Sequence, residues 1–227
     1  MPNPSITLYG LPLSGHCHRV ELLLRMLKLP FHYEVISRSD LSSPAFLALN
    51  PLGQIPVLKD GDLILPDSNA ILVYLATKYD DARVWYPVNP VIAAHIQRWL
   101  SLAAGEVRFG PAMARAIRLL VRPGDLEAAQ KIADRVLIFM DAHLANRRFL
   151  ANDAATIADL ACYSYVALAP EGGVSLEPYP HIRAWLERIE APPAFAPIFN
   201  KRSAGEQVKG QQSAAPAGRF TGRDSTS

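Results

Sequence analysis

The spacing of hydrophobic residues divides the chain into two parts with different predicted secondary structure. Before residue 80, short apolar runs typical of strands alternate with stretches of helical periodicity. The runs that predict strands are residues 6–9, 31–37, 57–58 and 63–65. Helical stretches between and after them give the order βαβαββα. A βαβ unit makes a parallel strand pair and a tight turn makes an antiparallel one, which predicts an α/β domain over residues 1–80.

After a proline-punctuated stretch, residues 81–90, only helical periodicity remains, so we interpret this stretch as a linker. The long helices predicted beyond it are residues 91–121 with a bend at Gly110-Pro111, 124–146, 156–169 and 179–191. They predict an all-α domain over residues 91–202. Residues 203–227 are mostly Ser, Ala, Gly and Gln and bury too little apolar surface to offset ordering, which predicts a disordered tail.

Composition and charge exclude several classes of function. The chain has 23 basic and 21 acidic residues, and no basic run carries interleaved aromatic residues, so we expect no nucleic-acid partner. No apolar segment is long enough to span a bilayer, and the N-terminus lacks the pattern of a secretory signal, so we expect no membrane association. The two cysteines, Cys17 and Cys162, form no metal-binding cluster, which predicts a cytoplasmic protein without a metal.

Three segments together carry a family resemblance. They are LYGLPLSGHCHRVELLL, PAFLALNPLGQIPVLKDGDLILPDSNAILVYLA and FLANDAATIADLACYSYVALAP. Over residues 5–200 the chain resembles the cytosolic glutathione transferase superfamily, and within it bacterial enzymes whose N-terminal half is similar to the plant phi class. The resemblance implies a thioredoxin-like N-terminal domain followed by an all-α domain, glutathione as co-substrate and a homodimer in the cytoplasm.

Ser14, just before the first predicted helix, is the candidate catalytic residue. Glutathione reacts as a thiolate, and an ordinary thiol pKa of about 8.5 leaves little of it ionised near neutrality. A hydroxyl donor at a helix N-terminus favours the anion. The spacing from Ser14 to Arg19 matches the catalytic serine of the phi and zeta classes, so the resemblance implies that Ser14 donates a hydrogen bond to the sulfur. The alternatives are that Ser14 only caps the helix, or that Tyr9 activates the sulfur.

The resemblance also assigns residues to the two ends of glutathione. Gln54, Ile55 and Pro56 would bind its peptide backbone, with a cis bond before Pro56 and with Ile55 offering main-chain groups as a strand does. Asp67 and Ser68 would hold the γ-glutamyl end at a helix N-terminus. From the residues alone, Pro56 could be an ordinary trans proline, and Asp67 or Ser68 a helix cap.

Other positions near Ser14 are less determined. His16 is a candidate glutathione-binding residue that provides either a second donor or a positive charge near the sulfur. Cys17 is either a thiol-exchange group or a buried packing residue. Phi-like enzymes usually carry a His-Lys pair where this chain has Leu41-Ser42, which leaves the contact to the glycyl carboxylate open, with Arg38 as one substitute.

A pocket for the second substrate is expected between the two domains. Its candidate residues are Leu11, Leu13, Glu106, Phe109, Met113 and Arg115. Phe109 and Met113 are four residues apart on a predicted helix, so packing in the core is the alternative. We expect a small hydrophobic electrophile. A glutathione-dependent peroxidase or disulfide reductase is a second interpretation, and a non-catalytic binding or assembly module is a third.

Overall fold

A computed structural model describes residues 5–198, so the predicted tail over residues 203–227 lies outside the described residues. The first domain has the predicted order of elements. Its strands are β1 (Ile6–Gly10), β2 (Phe31–Val35), β3 (Val57–Asp60) and β4 (Leu63–Pro66). Its helices are α1 (Gly15–Met26), α2 (Pro44–Leu49) and α3 (Ser68–Tyr79).

The four strands form one sheet in the order β2-β1-β3-β4. β1 runs parallel to β2 and antiparallel to β3, and β3 runs antiparallel to β4. Ile6 and Leu8, two residues apart on β1, are both buried, as expected for the alternating sides of a strand. The predicted α/β, thioredoxin-like domain is therefore confirmed, with β1 in a central position so that the loop after it leaves from the middle of the sheet.

α1 ends earlier than the hydrophobic pattern predicts. The pattern continues to Pro30, but the helix ends at Met26 and Lys28 adopts a left-handed conformation with φ of 54°. The Leu29 N–H then donates to the Leu24 carbonyl at 2.9 Å. This turn satisfies the last carbonyls of the helix in the way helix C-termini commonly do.

The second part of the described chain is helical. Its helices are α4 (Pro90–Ala104), α5 (Met113–Leu120), α6 (Leu126–Leu144), α7 (Ile157–Ala167) and α8 (Pro180–Glu190). Between α3 and α4 the described chain runs without regular secondary structure. Among residues 5–198, no helix combines the length and the apolar character that crossing a bilayer would need.

The single long helix predicted over residues 91–121 is wrong, and a π-helical turn lies where its bend was predicted, at Gly110-Pro111. α4 ends at Ala104, and residues 108–112 form a π-helical turn that contains Pro111. Proline has no N–H to donate to the preceding turn, so the wider π turn accommodates it. Gly110 packs directly on α6, because a Cβ there would lie 2.7 Å from the Ala133 nitrogen.

The two domains share one hydrophobic core. α7 packs against α1 and α3 of the first domain and against α4 of the second. Most of α7 is buried, and its start is fixed by a capping box of Thr156 and Asp159. Asp159 also accepts hydrogen bonds from the Leu150 N–H and the Trp185 indole, each at 2.9 Å. The capping box therefore stabilises the second domain. The shared core holds this domain against the loop before α1.

Candidate active site

Ser14 lies at the N-terminus of α1, in the loop that follows β1. Its backbone is extended, and its hydroxyl oxygen accepts a hydrogen bond from the Cys17 N–H at 3.4 Å. The capping role is thus present. The contact is long for a hydrogen bond and uses only the oxygen, so the hydroxyl proton of this half-buried side chain is available to an acceptor at the helix N-terminus.

Cys17 is completely buried beneath this loop. A Cβ on Gly10 would lie 2.7 Å from its sulfur, so β1 and α1 pack tightly around the thiol. Burial raises the pKa of Cys17, which keeps the thiol protonated and unreactive. Of the two interpretations of Cys17, the structure favours the packing residue.

His16, in the first turn of α1, faces the start of α3. Its ring lies edge-on to the Tyr165 ring with centroids 5.0 Å apart, and its Nδ1 is 3.5 Å from the Ser68 hydroxyl. Burial, together with the positive charges of Arg19 and Arg108, lowers the pKa of His16 well below its usual value. His16 is therefore neutral at pH 7, and of its two expected roles only that of a hydrogen-bonding group fits the structure.

The segment before β3 has the backbone geometry that the resemblance implies. The Ile55–Pro56 peptide bond is cis, and β3 begins only at Val57, so Ile55 lies outside the strand ladder. Buried Asn50 holds this segment, since its Nδ2 donates to the Gln54 carbonyl at 2.8 Å. Asn50 was not predicted as a supporting residue, because only the folded loop brings its amide to that carbonyl.

Asp67 and Ser68 begin α3, as predicted. Asp67 has φ of 73° and accepts hydrogen bonds from the Asn69 and Ala70 N–H groups at 2.9 and 3.0 Å, so it is the helix cap. Ser68 is buried, and its hydroxyl lies within 3.5 Å of His16 and 3.4 Å of an Arg19 nitrogen. Ser68 thereby joins the N-termini of α1 and α3 at one place.

Arg19 is a buried cation at this junction, with an exposed fraction of 1%. Its Nη1 donates to the Asn69 side-chain oxygen at 3.1 Å, whereas neither Nε nor Nη2 has a hydrogen-bond partner among the described residues. The burial lowers the pKa of Arg19, yet guanidinium groups remain charged in proteins. From the sequence, Arg19 served only to measure the spacing from Ser14, because α1 carries several other charged or polar residues and no pattern marks Arg19 as the buried one.

Family models match both domains. Residues 8–83 match the glutathione S-transferase N-terminal domain, and residues 111–193 match the glutathione S-transferase C-terminal domain. The chain belongs to the cytosolic glutathione S-transferase superfamily. It is an enzyme of that family, since its homologues are named glutathione S-transferases.

Relatives of this transferase occur in plants and bacteria. Glutathione S-transferase 3 of Zea mays is 37% identical over 207 residues, which cover 84% of this chain and 91% of the plant protein. Glutathione S-transferase GstB of Escherichia coli strain K12 is 30% identical over 204 residues, which cover 85% of this chain and 97% of GstB.

Solved glutathione transferases have the same fold. A glutathione S-transferase from Pseudomonas fluorescens Pf-5 superposes with a TM-score of 0.81 at 32% identity, covering 86% of this chain and 99% of that one. A glutathione transferase homologue from Drosophila mojavensis, solved with bound glutathione, gives a TM-score of 0.79 at 27% identity, covering 92% and 97%.

The residues predicted for the second-substrate pocket of this transferase lie in different environments. Leu11, Leu13 and Met113 are half-buried, while Phe109 on the π turn is 48% exposed, so Phe109 is not a core residue. Arg115 is buried and contacts the loop of residues 11–13 directly, because its Nη1 donates to the Leu13 carbonyl at 2.8 Å. The loop and the second domain thus meet where the pocket was expected.

Two cavities of about 310 Å³ lie elsewhere on the transferase. One opens between α3 and α4 beside Asp67, and the other lies between the end of α6 and α8. Neither includes the predicted pocket residues. Within residues 5–198, no three His, Cys, Asp or Glu side chains cluster in a way that could hold a metal ion.

Proposed function

We propose that this transferase conjugates glutathione to small hydrophobic electrophiles and that Ser14 activates the glutathione thiol. One observation carries the proposal: the N-terminus of α1, capped by Ser14, meets that of α3 where His16 lies beside Ser68. Buried Arg19 also contacts Ser68, and its Nε and Nη2 have no partner among residues 5–198. Helix N-termini and a buried cation both favour an anion. The junction is therefore suited to a thiolate and to the carboxylate of a γ-glutamyl group.

The proposed glutathione-binding residues lie along one edge of the first domain. Ile55 would pair its main chain with the cysteinyl unit, since it lies just outside the β3 ladder next to cis-Pro56, with the Gln54 carbonyl fixed by Asn50. Asp67 would receive the α-ammonium group and Ser68 the α-carboxylate. The Drosophila mojavensis structure supports this proposal by its bound glutathione, because its fold matches this one.

Ser14 would donate a hydrogen bond from its hydroxyl group to the sulfur of the bound thiolate. Lowering the thiol pKa by one to two units requires about 1.4–2.7 kcal/mol of preferential stabilisation of the anion. The thiol proton leaves to water, the thiolate forms a carbon–sulfur bond with the electrophile, and the leaving group departs with its electron pair. Neutral His16 lies beside Ser68 as a hydrogen-bonding group rather than as a second positive charge.

We also propose a homodimer in the cytoplasm, as the resemblance implies. A dimer would elute in size-exclusion chromatography at twice the 24.9 kDa of the chain.

Ser14→Ala tests the role of the hydroxyl. We expect the variant to bind glutathione in calorimetry, while the pKa of the bound thiol, followed by thiolate absorbance, returns towards that of free glutathione and kcat falls by about 10–10²-fold. Ser43→Ala is the matched control, because Ser43 caps α2 in the same way, accepting from the Phe46 N–H at 3.2 Å. It should leave the thiol pKa unchanged.

The outcomes separate the interpretations. If the wild type does not bind glutathione at millimolar concentration, the proposed glutathione-conjugating activity is refuted. An unchanged thiol pKa in Ser14→Ala would reduce Ser14 to a helix cap. Turnover of a hydroperoxide or a mixed disulfide, without turnover of an aryl halide, would replace conjugation by glutathione-dependent reduction.

A further inference from the structure

Arg115 connects the second domain to the backbone immediately before Ser14. It lies on α5 with an exposed fraction of 3%. Its Nη1 donates to the Leu13 carbonyl at 2.8 Å, and its Nε donates to a carboxylate oxygen of Glu171. A buried guanidinium bonded at two of its nitrogens is held in one orientation, so it can fix the carbonyl that it contacts.

The neighbouring turn is shaped to bring Glu171 within reach of Arg115. Glu171 lies in a 3₁₀ turn, residues 169–172, that packs on α5. A Cβ at Gly172 would lie 2.8 Å from the Arg115 main-chain nitrogen, so only glycine allows this close approach. The position of the turn and the ion pair therefore depend on each other.

The contact with Leu13 fixes the peptide unit that Ser14 belongs to. The Leu13 carbonyl and the Ser14 N–H are the two ends of one planar peptide group. Arg115 binds the carbonyl end, and the N–H end donates to the Leu11 carbonyl at 2.9 Å. With both ends held, the Cα of Ser14 has little freedom to shift, and its hydroxyl stays at the N-terminus of α1.

We propose that Arg115 is a positioning residue for Ser14, held in place by Glu171. This inference rests on the proposed role of Ser14. It assigns the second domain a part in sulfur activation, although none of its residues need touch the sulfur. A displacement on the order of 1 Å at a reacting group can cost about 10²-fold in rate, so a loosened Leu13–Ser14 peptide should lower kcat more than it weakens glutathione binding.

The main test is Arg115→Met, which keeps the length of the side chain and removes both hydrogen bonds. Arg118→Met is the matched control, since Arg118 lies on the same helix but is exposed. For Arg115→Met we expect the bound-thiol pKa to rise, kcat to fall by about tenfold or more, and the glutathione Kd to change less than about threefold. In the ligand-free protein, hydrogen exchange of the Ser14 amide should accelerate, while Arg118→Met should match the wild type in all four measurements.

Two further variants keep the proposal falsifiable if Arg115→Met does not fold. Arg115→Lys retains the charge but lacks the planar fork that reaches both partners, so we expect an intermediate thiol pKa and intermediate exchange. Glu171→Gln keeps an acceptor for Nε and should have a smaller effect than Arg115→Lys.

Specific results would overturn the proposal. A folded Arg115→Met or Arg115→Lys with wild-type exchange of the Ser14 amide and an unchanged thiol pKa would refute it. So would a loss of kcat matched by an equal loss of glutathione affinity, because that pattern indicates general structural damage. If the wild type itself does not lower the thiol pKa, the proposed role of Ser14 fails, whereas the exchange measurement still reports whether Arg115 holds the loop.

Discussion

Two buried arginines lie close to the Ser14 loop, and their surroundings differ sharply. On the side of the second domain, Arg115 donates to the Leu13 carbonyl and pairs with Glu171. At the junction of α1 and α3, Arg19 contacts two neutral oxygens and keeps Nε and Nη2 without partners among the described residues. Arg115 uses its N–H donors to connect the two domains. Arg19, in contrast, is a buried cation that contacts no carboxylate group among the described residues.

This difference indicates what each region does. Breaking a buried ion pair is destabilising, while replacing a poorly compensated buried charge by an apolar residue is often neutral or stabilising. A protein is expected to keep a poorly compensated buried charge, despite its unfavourable free energy, where a ligand supplies the missing counter-charge. The α1–α3 junction is thus suited to binding an anion, and the Arg115 region to positioning.

The largest effect that distinguishes the two regions is expected from Arg19→Met compared with Arg115→Met. Arg19→Met should raise the free energy of unfolding by about 1 kcal/mol or leave it unchanged, whereas Arg115→Met should lower it by about 2 kcal/mol, since Glu171 is 37% exposed and only partly desolvated. Arg19→Met should also weaken glutathione binding about tenfold, which is about 1.4 kcal/mol. Denaturant unfolding and calorimetry measure both quantities.

Arg19→Lys is the control for charge at the junction. It should preserve most of the glutathione affinity without the gain in stability, because a lysine keeps the buried positive charge. If Arg19→Met destabilises the protein as strongly as Arg115→Met does and binds glutathione normally, Arg19 is a structural residue and the contrast disappears.

A smaller effect concerns the pH dependence of stability at the same junction. Burial lowers the pKa of His16 in the folded protein, so between that lowered pKa and the ordinary value of about 6.5 the unfolded chain binds more protons than the folded one. Stability should therefore fall as the pH drops below about 6.5. His16→Gln should make the slope of unfolding free energy against pH shallower by one proton, and an unchanged slope would contradict a neutral buried His16.

The smallest effect is expected at the cysteines. Burial raises the pKa of Cys17 and raises that of Cys162 to about 12, so a thiol reagent should modify neither in the native protein and should leave activity unchanged. Mass spectrometry after brief treatment measures this, with the denatured protein as the positive control. Rapid modification of Cys17 would revive its interpretation as a thiol-exchange group.

Local patterns predicted the fold of the first domain well, because its strands, turns and caps are determined by nearby residues. Ser14 and Asp67 were placed at helix N-termini from their positions before apolar runs, and both are caps in the structure. The break after Ala104 was missed because the helical pattern continues through it, and the π turn that accommodates Pro111 depends on packing against α6.

The supporting contacts of the candidate site could not be predicted, because they join distant parts of the chain. Arg115 and Leu13 are 102 residues apart, and no sequence pattern links a helix of the second domain to one carbonyl in the first. The neutral state of His16 likewise depends on burial, to which edge-on contact with Tyr165 contributes, and on two cations, one of them from the second domain.

The shared core also has a consequence for synthesis of the protein on the ribosome. The first domain emerges well before α7, which covers its α1 and α3 surface. At about 5–20 residues per second, that surface stays uncovered for on the order of ten seconds. During each round of translation the α/β domain therefore exposes an apolar surface, and this surface becomes buried only when α7 has been synthesised and packs against it.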